Sequence, residues 1–263
     1  MMNHTALLQA FCLTLVAGMA TGIGSLIAFL AKKTDTRFLS AALGLSAGVM
    51  IYVSFMELMP EAVKQLENLY TSKIANIIML GAFFAGILLI ALIDKLVPED
   101  ENPHEIHQES DTNPQKLKRT GVMLALAIGI HNFPEGLATF TSALTDIEIA
   151  LPIMFAIAIH NIPEGIAVSV PMYHATGSKK KAFWYSLLSG LAEPVGALCG
   201  YFFLLPFWSP QLNALLLAFV SGIMIYISFD ELLPGTEQYG HHHWGISGVI
   251  AGMFVMAVSL LIL

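Results

Sequence analysis

Cysteine is almost absent. Cys12 and Cys199 are the only two in 263 residues, and both lie inside apolar stretches. Two cysteines so placed offer neither a disulfide framework nor a thiolate metal site. Charge is scarce as well: Asp, Glu, Lys and Arg make up 12% of the chain, whereas 56% is hydrophobic. That is about half the ~25% charge of an ordinary soluble domain. The net charge of −7 sits mostly in loops and forms no basic surface for nucleic acid. No segment has the composition of a soluble domain. The His-Glu-x-x-His pattern of zinc hydrolases is also missing.

What fills the chain is a series of apolar runs of about 20 residues, the length that crosses a bilayer as a helix. They fall near 6–31, 38–59, 74–96, 120–142, 149–171, 182–205, 210–233 and 244–263. The expected fold class is therefore an all-α polytopic membrane protein with eight transmembrane helices, in one transmembrane domain over residues 1–263. The first run has no basic segment before it and is too long for a signal sequence, so it reads as a retained span. Ten of the twelve Lys and Arg fall in or beside the first, third and fifth connections, leaving Lys64 and Lys73 opposite. The positive-inside rule then puts both termini outside and the third connection in the cytoplasm. That connection, 98–118, mixes Pro, Asp, Glu, Asn and Ser with His104 and His107 and reads as a flexible cytoplasmic loop.

Two repeats interrupt the apolar pattern. His131-Asn132-Phe133-Pro134-Glu135-Gly136 in span 4 recurs as His160-Asn161-Ile162-Pro163-Glu164-Gly165 in span 5. The thirteen residues from Gly48 to Pro60 in span 2 match Gly222 to Pro234 in span 7 at nine positions. Each pair joins spans that cross in opposite directions. The layout is an inverted repeat, spans 1–3 and 6–8 around the pair 4–5, which in secondary transporters holds a substrate near the midplane. Both histidines lie about eleven residues into their spans, or ~16 Å, near the middle of a core ~30 Å thick.

Polar side chains at that depth are costly and mark ion or proton pathways. His131 and Glu135 are four residues apart, so they share a helix face, as do His160 and Glu164. Two imidazoles and two carboxylates on facing helices suit Zn²⁺, and equally Fe²⁺, Mn²⁺, Co²⁺ or Cd²⁺. Asn132, Asn161 and Glu193, the last about eleven residues into span 6, can add an oxygen-rich site beside the first. Glu57 and Glu231 lie toward opposite faces of the membrane. For Tyr52, Ser54, Tyr226 and Ser228, helix packing and ligand contact both remain open. Pro134 and Pro163 should kink their helices, and Gly136 and Gly165 should admit a close neighbour.

On these motifs the chain resembles the ZIP (Zrt/Irt-like) family of divalent-metal transporters, with its short length and paired histidines most like the bacterial zinc-uptake subgroup. The resemblance implies a binuclear centre. His131, Glu135, His160 and Glu164 match one site; Asn132, Asn161, Glu193 and a bridging Glu164 match the other. It also implies inward movement of Zn²⁺ as cargo with no prosthetic group, a homodimer in the bacterial inner membrane, and alternating access. Asp230, Glu231, His241, His242 and His243 lie on the expected inner side, along the family's exit path. An intramembrane metal-dependent hydrolase and a metal-selective channel are the competing readings.

Overall fold

In a membrane the backbone must satisfy its own hydrogen bonds, and helices do this within one segment. The computed structural model describes residues 4–30, 36–96, 114–238 and 240–262, and these are helical apart from short turns. In order they form α1 (His4–Leu30), α2 (Thr36–Val53), α3 (Met59–Glu67), α4 (Ser72–Leu96), α5 (Pro114–Thr145) and α6 (Ile147–Thr176). Then follow α7 (Lys179–Gly190), α8 (Ala192–Cys199), α9 (Pro210–Ile227), α10 (Leu233–Gln238) and α11 (His242–Ile262). The connections are short because side chains cap the helices. Asp146 accepts the amide of Glu148 at the start of α6, Ser178 that of Lys181 at α7, and Ser209 that of Leu212 at α9. Gly177 ends α6 in the left-handed region at φ 62°. Most of the expected 98–118 loop, with His104 and His107, lies outside the described residues, as do Lys32 and Lys33.

Among the described residues, seven helical segments are long and apolar enough to cross a membrane. The expected fourth span, α5, is not among them. It is a continuous 32-residue helix, long enough to cross. The helix persists through Pro134 in α5 and through Pro163 in α6.

The breaks fall elsewhere, at other prolines. Pro60 and Pro234 cannot donate a backbone hydrogen bond. The amide just ahead of each shifts its acceptor five residues back, Met59 N–H to the Ser54 carbonyl and Leu233 N–H to the Ser228 carbonyl. Both copies of the Ser-Phe-x-Glu-Leu sequence are thus wound as π turns, Ser54–Leu58 and Ser228–Leu232, a form common at functional sites. Span 6 divides at Leu191 between α7 and α8, three residues before Pro194.

Helix pairing follows the inverted repeat. Span 1 packs on span 5 (α1 on α6) as span 6 packs on span 4 (α8 on α5). Span 2 packs on span 8 (α2 on α11) as span 7 packs on span 3 (α9 on α4). The glycines repeat the relation. A Cβ on Gly48 would strike the Val249 carbonyl, and one on its repeat partner Gly222 would strike the Phe83 carbonyl. Met50, Val53, Leu58, Ile153, Leu217 and Met224 bury a core between spans 2, 5 and 7. Spans 3 and 8 turn apolar ridges outward, with Ile77, Phe84 and Leu88 on one and Ile250 and Phe254 on the other exposed as a lipid-facing surface.

Gly48→Ala and Gly222→Ala should each destabilise the protein by about 1–3 kcal/mol, because a methyl group there forces two backbones apart. Gly81, whose added Cβ would meet open space, is the control. Gly81→Ala should be neutral or stabilising by up to about 1 kcal/mol. Thermal unfolding in detergent distinguishes these outcomes, and equal behaviour of all three variants would contradict the packing described.

Candidate metal centre

The paired motif converges where α5 and α6 cross. Four-residue spacing puts His131 above Glu135 and His160 above Glu164, and the antiparallel arrangement sets each histidine against the other helix's glutamate. His131 Nε2 stands 3.3 Å from Glu164 Oε2, and His160 Nε2 stands 3.2 Å from Glu135 Oε2. All four side chains are buried. The two contacts are pseudo-symmetric halves of one arrangement.

The asparagines anchor this core to the flanking spans. Asn132 Nδ2 donates to the Ser189 carbonyl of span 6 at 3.3 Å, and Asn161 Nδ2 donates to the Ala17 carbonyl of span 1 at 3.0 Å. Asn161 also donates to Glu193 Oε1. With both amide nitrogens engaged, Asn132 Oδ1 and Asn161 Oδ1 are left without hydrogen-bond partners. The motif glycines hold the spacing: a Cβ on Gly136 would strike the backbone of Glu193, and one on Gly165 the backbone of Thr21. This is the close approach expected of them.

Span 1 thereby shows a third inverted repeat, which sequence reading missed. Gly18-Met-Ala-Thr-Gly-Ile-Gly24 corresponds to Gly190-Leu-Ala-Glu-Pro-Val-Gly196. The Ile162 carbonyl lies where a Cβ on Gly24 would be, and the Phe133 carbonyl where one on Gly196 would be. The only sequence signal was a glycine-x-alanine start and a glycine six residues on, too sparse to notice between diverged spans. The repeat pairs Thr21 with Glu193. Thr21 Oγ1 donates back to the Gly18 carbonyl at 2.8 Å, so the carboxylate of Glu193 has no acidic counterpart.

The cluster is rich in unsatisfied acceptors. Glu135 Oε1, Glu164 Oε1 and Glu193 Oε2 are buried without hydrogen-bond partners, as are both asparagine carbonyl oxygens and His160 Nδ1. Glu193 also lies within electrostatic reach of both Glu135 and Glu164. Buried acceptors without donors are rare and costly, and three carboxylates at one depth repel unless a cation is shared among them. The donors are nitrogen and carboxylate or amide oxygen, a set that suits borderline divalent metals. Among the described residues, however, no three His, Cys, Asp or Glu side chains stand close enough to hold an ion as they are. The ligands meet as two His–Glu pairs, because a buried imidazole and a carboxylate satisfy one another directly. A cation would have to exchange those contacts for its own.

The more peripheral residues lie on the flanking spans. Glu57 and Glu231 ride on the two π turns, both half-buried, and Glu231 lies within electrostatic reach of His131. Asp230 is half-buried beside it. Three histidines stand at the start of α11. His241 Nε2 meets Thr36 Oγ1 at 3.0 Å, His242 pairs with Glu237, and the His243 ring stacks edge-on against His242.

A family model described as ZIP Zinc transporter matches residues 95–260. The chain is also similar over nearly its whole length to bacterial proteins named Zinc transporter ZupT. That of Streptococcus mutans is 60% identical, covering 97% of this chain and 98% of the relative. That of Nitratidesulfovibrio vulgaris is 57% identical, covering 100% and 99%. That of Clostridium perfringens is 54% identical, covering 99% and 98%. A model match over more than half of the chain and full-length relatives well above the level of chance likeness agree with the doubled motif: the chain belongs to the ZIP zinc transporter family, whose members are transporters and not enzymes.

Proposed function

We infer that this protein carries divalent metal cations, zinc foremost, into the bacterial cytoplasm through the buried cluster between α5, α6 and α8. The observation that carries this reading is the set of unpartnered buried acceptors on Glu135, Glu164, Glu193, Asn132 and Asn161 around two histidines. The names of the relatives point to the same cargo. His131, Glu135, His160 and Glu164 form the first metal position. Asn132, Asn161, Glu193 and a shared Glu164 form the second. Fe²⁺, Mn²⁺, Co²⁺ and Cd²⁺ fit the first donor set as well.

The cation sheds water on entering, and the carboxylates offset that cost. Ligation requires deprotonated His and Glu, so protons compete with metal and help to release it. All seven central ligands belong to spans 4, 5 and 6, with span 1 attached through the Asn161 bond to Ala17. Spans 2 and 8 pack together, and so do spans 3 and 7. Movement of the first group past the second would carry the whole site between faces, an elevator-like form of alternating access. In this reading α5 is the eighth crossing, residues 1–263 form one transmembrane domain with both termini outside, and 98–118 is a cytoplasmic loop. Glu57 lies on the way in, and Asp230, Glu231 and His241–His243 on the way out. The protein works as a homodimer in the inner membrane.

Uptake of radioactive Zn²⁺ into proteoliposomes tests the site. Losing an outer-shell partner of a metal ligand typically costs about 10–100-fold. The His131→Ala, His160→Ala double variant should lose more than that, and unchanged uptake would refute the assignment. Equilibrium binding should give two Zn²⁺ per protomer, falling to one in Glu193→Gln. One ion in both would remove the binuclear centre.

The sign of the pH effect is also fixed. Acidification from about pH 7.5 to about 5.5 sets protons in competition with metal for the imidazole nitrogens, so apparent Zn²⁺ affinity should weaken. Titration of uptake at several pH values checks this, and tighter binding at the acid end would contradict it.

A further inference from the structure

Most hydroxyls in these helices satisfy themselves on their own backbone. On α5, Thr141 Oγ1 donates to the Ala138 carbonyl at 3.1 Å and Thr145 Oγ1 to the Thr141 carbonyl at 3.1 Å. Thr139 and Ser142 do not. Both are fully buried, and Thr139 Oγ1 and Ser142 Oγ lack any hydrogen-bond partner. Their spacing is telling. From Glu135, steps of four and seven residues reach Thr139 and Ser142, within about 40° of one helix face. The same face carries His131 four residues the other way.

This polar stripe covers the α5 segment between the metal cluster and the end where Asp146 and Glu148 are exposed. From Glu135 to Ser142 it runs about 10 Å, in steps of about 4.5–6 Å. Apolar packing flanks it on both sides. Ala138 faces Ile153 and Ile157 of α6 in one buried cluster, and Phe140 and Ala143 meet Ala10 and Ala197 in another. The motif repeat sharpens the point, because the counterparts of Thr139 and Ser142 on α6 are Val168 and Pro171. Only the α5 half of the pair carries these oxygens. Close packing with small residues explains small side chains here, but not two buried hydroxyls left unbonded.

We propose that Thr139 Oγ1 and Ser142 Oγ form a relay site for a partly dehydrated divalent cation, linking the outer end of α5 to Glu135 in the metal centre. This rests on the transport reading above. Neutral hydroxyl oxygens suit such a relay. They replace part of the hydration shell without holding the ion as tightly as a carboxylate, so the ion moves on to the charged cluster.

The test is Zn²⁺ uptake and equilibrium Zn²⁺ binding by the full chain, comparing Thr139→Val with Ser142→Ala combined, Thr139→Ser alone, and Thr141→Val. The combined variant should lose about ten-fold or more in initial uptake rate, the effect of two lost hydrogen-bond-strength contacts on a barrier. Its equilibrium binding to the central site should stay at the wild-type level. Thr139→Ser keeps the oxygen and should recover most of the rate, while Thr141→Val, on the other side of α5, should behave as wild type. In a Cys12→Ser, Cys199→Ser background, Ser142→Cys should react with an impermeant thiosulfonate added outside, and external Zn²⁺ should slow that reaction. Wild-type uptake by the combined variant overturns the relay and leaves the transport reading intact. So does a parallel loss of binding, an equal loss in Thr139→Ser and the combined variant, or failure of the thiol to react during turnover. Absence of uptake by the unaltered protein overturns the transport reading, and the relay with it.

Discussion

The reciprocal pairing of His131 with Glu164 and His160 with Glu135 is the contact on which the rest of the centre depends. It needs α5 and α6 to cross closely, with both motifs at one depth. The asparagines tie each helix to a flanking span, and the glycines let backbones come near enough for the tie to reach. Neighbouring helices gain little from hydrophobic contact in lipid, so close packing and interhelical hydrogen bonds have to supply the adhesion. The proposed metal ligands are therefore part of the architecture that positions them. A change at Gly136 or Gly165 should disturb the centre as surely as a change at a ligand.

The pairing is symmetric but its surroundings are not. Span 6 brings the carboxylate of Glu193 to the cluster, where span 1 brings only Thr21 bonded to its own helix. Span 4 continues past the cluster with two unbonded hydroxyls, where span 5 continues with Val168 and Pro171. An inverted repeat provides two equivalent routes in principle. Divergence of single residues gives the two ends different chemistry.

Much of this was legible in the chain. The doubled motif pointed to a shared ligand set, and the antiparallel crossing of spans 4 and 5 predicted that it would meet at one depth. The repeat from Gly48 and Gly222 likewise foretold the matching of spans 2 and 7. Three features were hidden, each for a physical reason. The repeat of span 1 in span 6 survives only at packing positions such as Gly18 and Gly24, and glycine is too common in membrane helices to stand out. Proline position alone does not say whether a helix absorbs the lost hydrogen bond, as at Pro134, or shifts to a π turn, as before Pro60. The run His241–His243 straddles the start of α11, and adjacency in sequence did not reveal that His241 meets Thr36 while His242 pairs with Glu237.

The central claim is that imidazole nitrogen from both motifs, with carboxylate and amide oxygen, binds the transported ion. X-ray absorption at the zinc edge on the Zn²⁺-loaded protein in detergent tests it most directly. The account predicts a first shell of nitrogen and oxygen at about 2.0–2.2 Å, with imidazole scattering that disappears in the His131→Ala, His160→Ala variant. A shell containing sulfur, or imidazole scattering that survives the double substitution, would contradict it.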